Sequence, residues 1–290
     1  MAVRDALQIL VLAAIWGSSF LCMRHAAPEL GALATAEIRL LLAAVVLNGV
    51  VILRFGTLQL ELWREFVLVG FFNCALPFAL FAYAATHLPS GYLSVLNATS
   101  PLFGAVFGVL LLRETLSSRV ITGLLFGFVG VALLVAVGPV VVTVETLLCI
   151  FAGLTASMSY GFAVTRLAPL LKLAPGLVVA SGTVSAAAVM ISPALFLFAP
   201  SIPSASGTAL ISVLVLGVLC TAIAYMIYFD LVKRIPPTRA ISVTFLIPVF
   251  ATVWGILFLD ERFTVPMGVG AVLALGGTYL VLRRAPASAP

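Results

Sequence analysis

The sequence predicts an all-α polytopic membrane protein with ten transmembrane helices in two inverted five-helix repeats, and three observations lead there. The first is composition: 63% of the 290 residues are apolar and 9% are charged, with a mean hydropathy of +1.27. Soluble globular domains carry about 25% charged residues. The second is segmentation. Apolar runs of about 20 residues, the length a helix needs to cross a ~30 Å hydrocarbon core, are closed by single charges. They lack the polar/apolar alternation over about ten residues that marks a barrel strand. The third is self-similarity: Pro89 to Gly130 returns as Pro236 to Gly277 at a constant offset of 147 residues, without gaps. Under it Pro101 falls on Pro248, Phe103 on Phe250, Gly108 on Gly255, Glu114 on Glu261, Gly123 on Gly270 and Gly130 on Gly277. Proline, glycine and glutamate are scarce enough here for these coincidences to mean duplication.

The first span runs from Ala6 to Met23 and ends at Arg24-His25, and the second from Leu33 to Leu53 ends at Arg54. The third covers Phe66 to Thr86, and the turn His87 to Gly91 leads into the fourth, Tyr92 to Leu112, which ends at Arg113-Glu114. The fifth, Val120 to Val137, stops at Gly138-Pro139. The second half gives Thr146 to Thr165, Gly176 to Phe198, Ala209 to Leu231, Ala240 to Leu259 and Val265 to Leu282, then a tail, Ala285 to Pro290, expected to be disordered. The repeats are 1–138 and 139–290. Five crossings per repeat is odd, so the second copy enters the membrane upside down, the plan of many secondary transporters. A cleaved leader is disfavoured: Trp16-Gly17 has its counterpart in Tyr160-Gly161, and losing the first helix would leave one repeat incomplete.

Net charge of +5 does not point to nucleic acid, because the basic residues stand singly at span ends. With a cytoplasmic N-terminus, Arg4, Arg54, Arg64, Arg113, Arg119, Arg166, Lys172, Lys233, Arg234, Arg239, Arg283 and Arg284 lie inside, and Arg24 and Arg262 outside. Both termini are therefore expected in the cytoplasm of a bacterial cell, with the chain multi-pass in the inner membrane. Catalytic apparatus is missing. Cys22, Cys74, Cys149 and Cys220 have no CxxC spacing and read as packing residues. His25 and His87 form no HExxH, and neither a P-loop nor a GxSxG occurs. The chain is expected to be no enzyme, to need no metal or cofactor and to bind no nucleic acid. Nothing in the sequence sets its oligomeric state, and a monomer is one option.

Span centres carry few charges. Glu37 and Arg39 fall toward the outer end of the second span, Asp230 toward the inner end of the eighth, and Glu114 and Glu261 just past the fourth and ninth. All read as interfacial ion pairs or helix-end partners. Without a midplane Lys or Arg, a phosphate ester or nucleotide-sugar is a poor cargo. Periodicity instead places polar and aromatic residues. Asn97 and Pro101 lie four apart on one face of the fourth span, as do Thr244 and Pro248 in the ninth. Each proline withdraws the hydrogen bond to the carbonyl four residues back, which belongs to Asn97 or Thr244, and predicts a kink. Phe78 and Phe81 share a face of the third span, matched by Tyr225 and Tyr228 in the eighth, and Trp16 is matched by Tyr160. These residues form the predicted substrate site, with the charged head near Asn97 and Thr244 and the apolar part against the rings.

The Pro…Phe…Gly…Glu core of Ala98 to Leu116 and Phe245 to Phe263, with the opening Ala14-Ile15-Trp16-Gly17-Ser18-Ser19-Phe20, resembles the drug/metabolite transporter superfamily, EamA-type, over essentially the whole chain. Within it the chain is most similar to the YddG-type bacterial aromatic amino acid exporters. The resemblance implies export of amino acids and related small amphiphilic metabolites across the inner membrane by alternating access, the two copies rocking about a central cavity. Lipid or lipid-linked-carrier flipping, and export of other metabolites or drugs, are the alternatives.

Overall fold

A computed structural model describes residues 3–113, 117–137, 140–197, 204–231, 234, 243–262 and 264–282. Among them the chain is helical and contains no strand. The elements are α1 (Val3–Leu30), α2 (Ala32–Phe55), α3 (Trp63–Gly70, continued through Phe71–Ala75 and Leu76–Ala84), α4 (Ser90–Asn97 and Ser100–Leu112) and α5 (Ser118–Val137). They are followed by α6 (Val144–Leu173), α7 (Gly176–Leu197), α8 (Gly207–Gly217, continued through Val218–Ile223 and Ala224–Leu231), α9 (Val243–Leu259) and α10 (Val265–Leu282). Seven of these stretches are long and apolar enough to cross a membrane, and apolar segments of α5, α9 and α10 are shorter. The calls on Glu114, on the Gly138-Pro139 boundary, on the start of the ninth span at Ala240 and on the tail after Ala285 lie outside the described residues.

Helix α1 runs well past its predicted end at Met23. At 28 residues it is about 42 Å long, more than the ~30 Å hydrocarbon thickness. Gly31, at φ 85°, makes the one-residue corner into α2.

Paired features recur in the two halves. Helices α3 and α8 each contain a π-turn, over Phe71–Ala75 and Val218–Ile223, positions that correspond under the 147-residue offset. Just before each stands a glycine at a tight crossing. A Cβ on Gly70 would collide with the carbonyl of Thr183 on α7, and one on Gly217 would lie 2.9 Å from the carbonyl of Arg39 on α2. Thr183 and Arg39 are therefore structural mates, and the offset in the first two helices of each half is 144. The same offset relates the polar bridges between α2 and α7: Ser192 donates to Glu37 at 2.6 Å, and Ser181 donates to Asn48. At the ends of α4 and α9, Arg113 and Asp260 both adopt left-handed φ, 56° and 52°. Helices α5 and α10 meet through glycines, with Gly130 against Ala274 and Gly277 against Gly123 and Gly127.

The two prolines behave differently. At Pro101 helix α4 breaks at Ala98-Thr99 and restarts with the proline in its first turn, where the missing N–H costs nothing. Pro248 sits inside a helix that continues from Val243 to Leu259, so only the first of the two prolines stands at a helix break. Hydroxyls explain the difference. The freed carbonyls of α4 are covered by Ser157 on Leu96 (2.8 Å), Ser100 on Asn97 (2.6 Å) and Thr278 on Ala98 (2.8 Å), with Thr99 also donating to Leu96 (2.6 Å). Their counterparts in the other half are Ala13, Ile247, Val131 and Leu246, none of which can donate. Breaking α9 there would leave carbonyls unpaired in an apolar interior, at about 1–3 kcal/mol each.

Candidate functional site

Four of the six predicted aromatic residues come together as two pairs that correspond by repeat, and Phe78 and Tyr225 join neither. Trp16 on α1 meets Tyr228 on α8, ring centroids 5.6 Å apart, and Tyr160 on α6 meets Phe81 on α3 at 6.3 Å. The partners correspond by repeat, Trp16 to Tyr160 and Phe81 to Tyr228. The glycine that follows the α1 or α6 member of each pair packs that helix tightly against a further one, α9 or α4. A Cβ on Gly17 would lie 2.8 Å from Phe250 Cβ on α9, and one on Gly161 would lie 2.7 Å from Phe103 Cβ on α4, themselves mates.

Phe78 and Phe81 are buried, whereas Trp16, Tyr160, Tyr225 and Tyr228 are half-buried. Tyr160 and Tyr228 pack against both large apolar clusters, one containing Phe81 and the other Phe78, with Tyr225 packed on the latter. Tyr160 and Tyr225 are half-buried among the apolar side chains of these clusters. Asn97, at the end of the first segment of α4, is half-buried, and its side-chain amide makes no hydrogen bond among the described residues. Thr244 is half-buried in the first turn of α9. The Asn97 carbonyl already accepts from Ser100. The polar backbone exposed by the break is thus largely satisfied within the protein.

Arg39 is not the interfacial residue its position in the sequence suggests. Its side chain is buried, 7% exposed, and reaches Thr221 near the middle of α8, where Nε donates to Oγ1 at 2.9 Å. The guanidinium carbon lies 3.7 Å from the centroid of the Phe78 ring, a cation–π stack. The phenols of Tyr160 and Tyr225 and the thiol of Cys74 are within its electrostatic reach. It forms no ion pair among the described residues. An ionised side chain buried within a membrane-spanning helix is costly, up to about 2.5–3.5 kcal/mol at the helix centre on insertion scales, and such residues point to function. The chain gave one signal of it: Arg39 lies inside a span rather than at its edge.

Glu261, expected to hold the end of the ninth helix, instead caps the start of α4. Its carboxylate accepts from the Ser90 backbone N–H at 2.8 and 3.0 Å and from Ser90 Oγ at 2.7 Å, sitting on the N-terminus of α4. Arg24 Nε approaches it to 3.7 Å, and Arg24 Nη1 donates to the carbonyls of Ala85 and Thr86 at the end of α3. One end of the bundle is thereby tied across α1, α3, α4 and α9. At the other end Arg234 joins α8 to α1 through Asp5 and Gln8, and Asp230 holds its guanidinium above its usual pKa range, chiefly by a hydrogen bond. No group of His, Cys, Asp and Glu suited to a metal ion occurs among the described residues.

The sequence profile of the EamA-like transporter family matches residues 4–136 and again residues 147–283. The chain belongs to that family. It is a transporter and not an enzyme. Among similar proteins, the uncharacterized transporter YvbV of Bacillus subtilis (strain 168) is 26% identical over 289 residues, covering 98% of this chain and 93% of the relative. Protein PecM of Dickeya dadantii (strain 3937) is 25% identical over 274 residues, covering 92% and 88%. A probable terminal-alkyne amino-acid exporter of Streptantibioticus cattleyicolor is 26% identical over 205 residues, covering 71% of this chain and 68% of that one. A solved crystal structure shares the fold with a TM-score of 0.64 at 17% identity, covering 97% of this EamA protein and 96% of that chain.

Proposed function

We propose that this EamA transporter exports amino acids, aromatic ones among them, and related small amphiphilic metabolites across the bacterial inner membrane by alternating access. Its ten helices form two inverted five-helix repeats with both termini in the cytoplasm. The observation that carries this is the mirrored aromatic arrangement, Trp16 with Tyr228 and Tyr160 with Phe81. A site built equally by both repeats is the geometry expected where two halves rock about a shared centre. Phe78, Phe81, Tyr160, Tyr225, Tyr228 and Trp16 supply an apolar wall, with Asn97 and Thr244 as neutral polar groups at the proline-bearing segments Pro101 and Pro248. The amino-acid class is supported by the relative named as a terminal-alkyne amino-acid exporter.

The test is counterflow in proteoliposomes preloaded with an unlabelled amino acid. Labelled phenylalanine, tyrosine or leucine is expected to accumulate transiently in liposomes containing the protein and not in empty ones. Absence of amino-acid counterflow, with scrambling of a fluorescent phospholipid, overturns the reading in favour of a lipid flippase.

A further inference from the structure

The centre of the bundle holds a positive charge in one repeat only. Arg39 on α2 and Thr183 on α7 occupy equivalent crossings, but Thr183 turns its hydroxyl back to the carbonyls of Val179 and Ala180 on its own helix. We propose that Arg39 anchors the anionic end of the transported molecule, so that the cargo is a monocarboxylate with an apolar or aromatic remainder. The proposal rests on the exporter reading above and narrows its substrate class.

The guanidinium is held in place and has no carboxylate against it among the described residues. Gly217 lets α8 approach the Arg39 backbone, a Cβ there falling 2.5 Å from Leu42 Cβ. The π-turn that follows brings Thr221 into line, its hydroxyl donating to the Leu216 carbonyl at 2.8 Å and accepting from Arg39 Nε. Phe78 covers one face of the guanidinium plane. The two terminal nitrogens, the fork that grips a carboxylate, make no hydrogen bond among the described residues. The nearest carboxyl along the chain, Glu37, faces the other way and accepts from Ser192 on α7. A buried cation in this state lacks a counter-charge that a bound anion provides.

Charge sets the class of that anion. One guanidinium neutralises one negative charge, and a phosphate dianion would leave a second charge buried without a partner. The Phe78 ring on the guanidinium, with Tyr160, Tyr225 and Tyr228 packed on the same apolar cluster as Phe78, favours an apolar or aromatic body.

The test uses purified protein and three probes: L-phenylalanine, 3-phenylpropionate, which keeps the carboxylate and lacks the ammonium, and phenethylamine, which does the reverse. Binding is read as thermal stabilisation in detergent and transport as counterflow in proteoliposomes. Both carboxylates are expected to bind wild type, and Arg39→Gln is expected to weaken them at least tenfold. Arg39→Lys, which keeps the charge and loses the fork, is expected to fall between, and it serves as the folded comparison if the glutamine variant does not assemble. Binding of 3-phenylpropionate that depends on Arg39, without carriage of phenylalanine, upholds the anchor and defeats the amino-acid reading. Phenylalanine carried equally by wild type and both variants upholds that reading and overturns the anchor. Binding of phenethylamine as tight as that of the carboxylates, or of no carboxylate at all, also overturns it.

Discussion

Replacing Glu261 by glutamine removes a charge while keeping the shape, and the structure sets the expected loss. The carboxylate accepts from both donors of Ser90, the backbone N–H shared between its two oxygens and the hydroxyl, and has Arg24 Nε 3.7 Å away, with side chains only 13% and 27% exposed. Charge-assisted hydrogen bonds contribute about 1.5–3 kcal/mol against about 0.5–1.5 for neutral ones, and the helix-terminus interaction adds about 0.3–1. Since one amide oxygen still accepts from Ser90, Glu261→Gln is expected to cost about 2 kcal/mol, roughly a thirtyfold shift toward the unfolded form. Glu261→Ala, which leaves the Ser90 N–H and Arg24 without their acceptor, is expected to cost about twice that. Thermal unfolding in detergent and the half-life of transport-competent protein measure it, alongside KM for whichever amino acid wild type carries. A substantially lower melting temperature with KM within about threefold of wild type is expected. Unchanged stability with KM altered tenfold would show that Glu261 belongs to the transport path and that the clamp on α4 is incidental.

Trp16→Ala, Tyr225→Ala and Asn97→Ala are expected to stay folded while counterflow of amino acids falls at least tenfold; wild-type rates in all three, with folding confirmed, would remove this face from the pathway. Gly161→Ala places a Cβ 2.6 Å from the backbone nitrogen of Gly104 and is expected to cost about 1–3 kcal/mol, whereas Gly276→Ala, with open space around it, leaves the melting temperature unchanged. Cysteines introduced at Ser118 and Ser204 are expected to react with an impermeant maleimide from opposite sides, Ser118 from the cytoplasm and Ser204 from the periplasm. Modification of Ser204 from the cytoplasm defeats the ten-crossing topology.

The helices were legible because a bilayer demands about 20 apolar residues per crossing, and that demand is written in composition. Repeat mates were legible where proline and glycine punctuate the chain. Neither π-turn was, since one extra residue leaves no trace in a run that is apolar on every side; Pro77 follows the turn in α3, but its mate in α8 is Ala224. The unlike fates of Pro101 and Pro248 depend on hydroxyls from other helices, Ser157 and Thr278, whose proximity only the fold reveals. Arg39 was misplaced for a related reason. A long side chain near a span end can reach the interface or turn inward, and the choice is made by Thr221, 182 residues away.

The two π-turns set the phase of everything after them. An α-helix advances about 100° per residue, so one inserted residue swings the remainder of α3 or α8 by that amount relative to its first half. Phe66 and Val69 point into the core before the turn in α3, and Phe78 and Phe81 point into it after, although an uninterrupted helix would not aim both sets the same way. Removing a single residue from Phe71–Ala75 would leave hydropathy and length almost untouched while rotating Phe81 off Tyr160 and Phe78 off Arg39. Deleting one residue from Val218–Ile223 would do the same to Tyr228 and Trp16. The reading frame of the site is thus kept by two stretches that contribute none of its rings, and a one-residue deletion in either would put the duplicated halves out of step.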